Sequence, residues 1–305
     1  MRYLLPISLV SLALLCGSCS RGEVSQSKSD TVESSFYQSP TASGQKSVST
    51  SEDKKSVSND DTDDKGDAIF SHTTNKGTLY RHENYSFSYS EEDEQAEWVA
   101  YELTKEETYG KQERKEKFVS DPIVVTESSH PYEYRNSGYT RGHLAPAGDM
   151  KFDETAMAEC FYTSNISPQT REFNAGIWND LEMKTRNWAR KYKKVYVITG
   201  PILTDKGLKK MDYENNRGKK EKSDITIPKR FYKIIYDFSY AGKEKMIAFI
   251  ISQDAEGDLA DYVTTVDEVE EATGLDFFTN LSKSEQNELE SSSDLSKWAK
   301  SQSAY

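Results

Sequence analysis

The chain has 305 residues, enough for one sizeable domain with appendages or at most two modest domains. Its 19 Tyr and 12 Phe exclude a wholly disordered chain, while 35% hydrophobic residues is too few for an integral membrane protein. With 39 Lys and Arg against 51 Asp and Glu, the net charge of −12 excludes a basic protein that coats nucleic acid by charge alone, but not local binding of phosphodiesters.

Arg2 precedes a twelve-residue apolar run from Leu4 to Leu15, well short of the ~18–20 residues that cross a bilayer as a helix. It reads as a signal peptide over residues 1–19. The run ends in Cys16-Gly17-Ser18-Cys19. A C-x-x-C pair also occurs in redox and zinc sites, but no second Cys/His pair and no strand–helix context follow. The segment resembles a bacterial lipoprotein signal with Cys19 as the lipidated residue; plain secretion is the other outcome. Cys160 is then the only thiol of the body, so stability has to come from a packed core.

Residues 20–77 read as a tether. Thirteen of the 39 residues from Ser20 to Ser58 are serine, and Asn59 to Asp67 is an acidic run. Such a segment buries too little apolar surface to offset the entropy of ordering it. The folded domain is expected over 78–285, followed by a polar tail at 286–305.

Within that domain, Trp98 to Thr104 has the aromatic and β-branched content of a strand. Val195 to Pro201, Phe231 to Asp237 and Met246 to Ser252 are short apolar runs of the buried-strand kind. Asn174 to about Lys193 carries Ile177, Leu181, Trp188 and Tyr192 at helical spacing. Asp267 to Glu271 opens a short helix stopped by Gly274, and another is expected around Asp294 to Lys300. The fold class is α+β, with a mostly antiparallel central sheet flanked by helices.

Three segments carry the chemistry. Thr140-Arg141-Gly142-His143 is followed by Ser164-Asn165-Ile166-Ser167-Pro168-Gln169, and then by Asn174 through Trp178 to Leu181-Glu182. A neutral imidazole at His143 suits a general base near pH 7, and equally a packed structural histidine. Gly142 beside it permits a close approach of backbone or substrate. Asn174 stands where a helix is expected to start, so it reads as an N-cap or as a neutral oxygen ligand of a hard cation. Glu182, eight residues on, falls about 80° around an ideal helix from Asn174. It reads as a metal ligand, as an acceptor for metal-bound waters, or as a solvated helix carboxylate. Trp178 and Leu181 are core residues.

Together these segments resemble the DNA/RNA non-specific endonuclease family, whose hallmarks are D-R-G-H, S-N-x-x-P-Q and N-x-x-x-W-x-x-L-E. The likeness extends to WVAYELT at Trp98, VYVITGP at Val195, IPKRFYKIIY at Ile227 and the segment Val266 to Phe278, in order, over about 200 residues. It implies the ββα-metal, or His-Me finger, nuclease fold. It also implies His143 as general base, Asn174 as the direct ligand of one Mg²⁺ with Mn²⁺ able to substitute, and Glu182 holding metal-bound waters. Few protein ligands suit Mg²⁺, which keeps much of its hydration. Asn165 and Gln169 would support the site.

Two positions depart from the family pattern. Thr140 replaces its leading Asp, supplying a hydrogen bond but no charge if that position orients the histidine. The family's transition-state arginine falls within Lys111 to Val119, where Arg114 competes with Lys115 and Lys117. Arg141 either contacts phosphate or supports its strand. From Tyr139 to Lys222 there are 16 Lys and Arg against 11 Asp and Glu, a local excess suited to a phosphate-binding face.

The resemblance implies an endonuclease cutting DNA and RNA through backbone contacts, secreted or lipid-anchored in a bacterial cell envelope. A nucleic-acid-binding surface lipoprotein of the same fold with little turnover is the alternative. The implied partners are the DNA and RNA backbone and a membrane reached through the lipid, with a homodimer as a further candidate assembly.

Overall fold

The computed structural model describes residues 71–115 and 117–299. The expected signal peptide at 1–19, Cys19, the tether from 20 to 70 and residues 300–305 lie outside the described residues.

The strands in chain order are β1 (Thr78–Arg81), β2 (Ser86–Ser90), β3 (Gln95–Thr104), β4 (Thr140–His143), β5 (Ile166–Gln169), β6 (Lys194–Pro201), β7 (Lys209–Glu214), β8 (Lys220–Ile227), β9 (Arg230–Asp237), β10 (Lys245–Ser252) and β11 (Val263–Thr264). The α-helices are α1 (Glu154–Glu159), α2 (Arg171–Ala175), α3 (Ile177–Tyr192), α4 (Val266–Thr273), α5 (Lys283–Leu289) and α6 (Ser296–Ala299). Seven strands form one antiparallel sheet in the order β1-β2-β3-β6-β9-β10-β11, and β4–β5 and β7–β8 form two smaller ladders.

Both faces of the large sheet are covered, which is why its central strands read as apolar runs rather than as a simple alternation. Val99, Tyr101 and Leu103 of β3, Val195 and Val197 of β6, and Phe231 and Ile235 of β9 join one core with Trp178, Leu181 and Trp188 of α3. The intervening residues Trp98, Ala100, Tyr196, Ile198, Tyr232 and Ile234 join a second core with Val266 and Val269 of α4 and with Phe277 and Phe278. The period of two along each strand thus sorts its side chains between two helical layers.

The single helix expected from Asn174 is two. Gly176, at φ −103° and ψ −118°, breaks the chain between α2 and α3. Thr170, not Asn174, caps α2, its side chain accepting from the Phe173 N–H at 3.3 Å. The N-cap reading of Asn174 is therefore corrected, and so is the premise that one helix face carries both Asn174 and Glu182.

The packed body also runs past both boundaries expected from sequence. His72 sits in an aromatic cage with Trp98, Tyr196, Phe277 and Phe278, and its Nδ1 accepts from the Phe278 N–H at 3.2 Å. The carbonyl of Thr73 accepts from the Trp98 indole at 3.0 Å. At the other end, buried Trp298 packs on Trp188 and Tyr192, with ring centroids 4.8 and 5.5 Å apart. Residues 71–77 are thus not tether, and 286–299 are not a polar tail. A few contacts to large aromatic rings outweigh the polar composition around them.

Cys160 is a buried free thiol whose S–H donates to the Met157 carbonyl at 3.3 Å. Burial pushes it up to about 12.

Trp298→Ala is expected to cost roughly 3–5 kcal/mol of stability, the range for emptying a buried aromatic site. Urea denaturation of the full chain followed by circular dichroism measures it; a loss below about 1 kcal/mol would return this segment to the status of a tail.

Candidate active site

The ladder of β4 with β5 pairs Thr140 with Gln169, Arg141 with Pro168, Gly142 with Ser167 and His143 with Ile166. It delivers His143 to a cleft of about 450 Å³ whose lining includes Arg114, Arg141, Asn174, Asn179, Glu182 and Arg186. Of the sequence candidates, His143, Asn174, Glu182, Arg141 and Arg114 therefore meet at one cleft. Lys115 instead pairs at 3.4 Å with exposed Glu154, and neither it nor Lys117 lines the cleft.

His143 is 7% exposed and packs between Phe118 and Phe161, at centroid distances of 5.4 and 5.0 Å. Its Nε2 is buried with no hydrogen-bond partner among the described residues. Burial, and then the positive charge of Arg114, push the imidazole down to about 3, so at neutral pH it carries no proton on one ring nitrogen. A buried ring nitrogen without a hydrogen-bond partner is uncommon and asks for a chemical reason, which the place of the imidazole in the wall of a polar cleft supplies.

Asn174 gets its orientation from Thr140. The Asn174 amide Nδ2 donates to Thr140 Oγ1 at 3.0 Å, and that hydroxyl donates onward to the Gln169 carbonyl at 2.8 Å. The amide oxygen of Asn174 then has no hydrogen-bond partner among the described residues. Thr140 thus positions the asparagine, whereas the sequence pointed to it as a group orienting the histidine. The helix break at Gly176 does not separate Asn174 from Glu182; both line the cleft because α2 and α3 enter it from one side.

Asn165 is fully buried and works as a strut. Its Oδ1 accepts from the Ala145 N–H at 2.8 Å, and its Nδ2 donates to the Ala145 and Cys160 carbonyls at 2.9 and 2.8 Å. It fixes the backbone immediately after His143. The Gln169 side chain fills the space that a Cβ on Gly142 would take, so the close approach expected at that glycine is made by Gln169. Arg141 donates from Nε and Nη2 to the Pro131 carbonyl at 3.1 and 2.6 Å and lies over the rings of Phe118 and Tyr134. It both supports its strand and presents charge to the cleft.

A buried charge network beneath the cleft has no counterpart in the sequence reading. Arg186 Nη1 lies 2.6 Å from Asp149 Oδ1, and Asp149 Oδ2 accepts from the Tyr101 hydroxyl at 2.7 Å. Burial drives the Glu182 carboxyl up, opposed first by the charge of Lys233. Only the position of Arg186 four residues after Glu182 hinted at this; Asp149, Lys233 and Tyr101 come from separate elements.

The set is rich in hard oxygen donors, an unpartnered amide oxygen and a carboxylate, with cationic groups around them. It fits a small divalent cation and an anionic substrate.

The sequence model for the DNA/RNA non-specific endonuclease family matches residues 66–284. The chain belongs to that family. Its fold is the ββα-metal nuclease fold, with the paired strands β4 and β5 leading into α2 and α3. Among its relatives, the mitochondrial nuclease EXOG of Danio rerio is 36% identical over 217 residues, 68% of this chain and 62% of that protein. The mitochondrial endonuclease G of Homo sapiens is 30% identical over 217 residues, 67% of this chain and 70% of that one. A crystal structure of endonuclease G with its inhibitor superposes with a TM-score of 0.57 at 28% identity, covering 67% of this chain and 87% of that chain. The EXOG relatives from Danio rerio and Xenopus laevis are matched over about 60% of their own length.

Because the family's leading aspartate is Thr140 here, its hydroxyl carries the orientation of Asn174. Thr140→Val is expected to leave stability within about 1 kcal/mol, while weakening divalent-cation affinity ~10–100-fold, as loss of a ligand-orienting partner does. Mn²⁺ titration followed by electron paramagnetic resonance checks this; unchanged affinity would mean that Asn174 needs no such partner.

Proposed function

We propose that this chain is an endonuclease that hydrolyses phosphodiester bonds of DNA and RNA using one Mg²⁺, with Mn²⁺ able to substitute. The observation that carries the reading is the buried, neutral imidazole of His143 lining a cleft shared with Asn174, Glu182 and three arginines.

In this reading the Asn174 amide oxygen and the Glu182 carboxylate are the groups that would hold the cation, Asn174 directly and Glu182 through its waters. Bound there, the cation would stabilise developing negative charge on the scissile phosphate and the leaving oxygen. Arg114, Arg141 and Arg186 line the cleft and hold the phosphodiester by charge. His143 accepts the proton of the attacking water on the ring nitrogen open to the cleft. Burial keeps it in its base form at neutral pH before substrate arrives. The substrate's negative charge opposes the effect of Arg114 and makes the imidazole a stronger base once the phosphate is seated. Charge-based contacts to the backbone carry no sequence information, which suits a nuclease without base preference.

Turnover, rather than binding alone, is favoured by the role of Thr140. The hydroxyl that stands where the family has an aspartate keeps a complete hydrogen-bond chain to Asn174. In a plasmid-nicking assay, the protein is expected to relax supercoiled DNA and degrade RNA with Mg²⁺, and to stop in EDTA. His143→Ala is expected to lower the rate by ~10²–10⁴-fold, the usual contribution of a general base. DNA binding without cleavage in either Mg²⁺ or Mn²⁺ would establish the alternative, a binding lipoprotein of the same fold.

We also propose that the protein acts in the bacterial cell envelope, lipid-anchored through Cys19 or secreted. The support is the short apolar run ending in Cys16-Gly17-Ser18-Cys19, followed by a serine-rich stretch. No helix among the described residues is long and apolar enough to cross a membrane. Cys19→Ala is expected to move the protein from the membrane fraction to the soluble fraction, read by immunoblot after fractionation. If the variant stays with membranes, the anchor lies elsewhere.

A further inference from the structure

Lys233 is the least expected residue of the sheet. It lies in the middle of β9, between Phe231 and Ile235 on the strand face that packs beneath α3. It is 1% exposed, and its Nζ is buried with no hydrogen-bond partner among the described residues. An ammonium removed from water costs several kcal/mol unless something compensates it.

The contact that places the charge is with Trp178, whose ring centroid lies 4.9 Å from Nζ. A cation over an indole face is attracted to the ring, but too weakly to offset that cost by itself. Trp178 and Glu182 are four residues apart on α3, so they share one face of the helix. The group seated on the Trp178 ring is thus near enough to that carboxylate for each to feel the other's charge. The two other charges of the network are already committed: Asp149 is held by Arg186 and Tyr101, and Arg186 by Asp149. Glu182 is the charge that acts most strongly on Lys233, ahead of Asp149.

We propose that Lys233 is a positioning residue for the nuclease reaction, a buried counter-charge that anchors the Glu182 carboxylate at the floor of the cleft. This rests on the nuclease reading given above. The arrangement has a chemical advantage. An ammonium bonded directly to Glu182 would occupy the oxygen lone pairs that the cleft needs. Held instead on the face of Trp178, it supplies charge while leaving both carboxylate oxygens free for water.

A double-mutant cycle tests the pairing. Lys233→Met keeps a long side chain against Trp178 and removes the charge, and Glu182→Gln removes the partner. Each single variant leaves one charge buried and unbalanced, and the double variant leaves neither. Urea unfolding is expected to show the double variant more stable than the two single losses predict, by about tenfold in the unfolding constant, or about 1.4 kcal/mol. Losses that add to within about twofold would overturn the pairing. Should Lys233→Met fail to fold, the double variant decides: recovery of folding supports the pair, and continued failure overturns it.

The functional readout separates positioning from scaffolding. With plasmid as substrate, Lys233→Met is expected to lower kcat at least about tenfold with KM changed by less than about threefold, the pattern of an interaction that matters in the transition state. A rise in KM with kcat unchanged would assign Lys233 to substrate binding instead. If the wild type cuts and the cycle is additive, only the Lys233 assignment falls. If the wild type does not cut and the cycle is non-additive, the charge pair stands and the nuclease reading falls.

Discussion

The site depends on one short antiparallel ladder, β4 against β5, and on the hydrogen bonds that tie it to α2. The register that places Thr140 opposite Gln169 also places its hydroxyl between the Gln169 carbonyl and the Asn174 amide. The same four residues of β4 end at His143, whose following backbone is fixed by Asn165. A slip of one residue would turn every side chain of β4 to its opposite face and separate the imidazole from the asparagine. Gly142 fits that constraint, because the Gln169 side chain fills the place of its missing Cβ.

The large sheet gives this ladder a rigid neighbour. With helices on both faces, its central strands have little freedom, and α3 is held along its length by Trp178, Leu181 and Trp188. Glu182 and Arg186 therefore line the cleft from a helix that is anchored in the core. A site built on packed elements rather than on loops holds its groups within the narrow tolerance that catalysis needs. The charge network beneath Glu182 is the costly part of the design, since every member must find a partner or be compensated.

Much of this was legible in the sequence, for identifiable reasons. The strands around Trp98, Val195, Phe231 and Met246 announce themselves because both faces of the sheet are buried, and the motifs that single out His143, Asn174 and Glu182 mark residues that line one cleft. What stayed hidden depends on contacts between distant segments. The break at Gly176 was masked by apolar residues that keep helical spacing on both sides of it. Trp298 lies in a polar stretch, and its burial comes from Trp188 and Tyr192 more than a hundred positions earlier. The partnership of Thr140 with Asn174 crosses from strand to helix, and Lys233 reads in sequence as a polar interruption of a strand until Trp178 and Glu182 are placed above it.

The lone thiol of Cys160, sealed in the core and engaged with the Met157 carbonyl, bears on where such a domain can work. Held protonated, it offers oxidants and alkylating agents no thiolate to attack. With no second cysteine in the body to pair with, a reductant finds no crosslink to open. The described residues are held together by packing, hydrogen bonds and ion pairs, with no crosslink among them for a change of redox conditions to break.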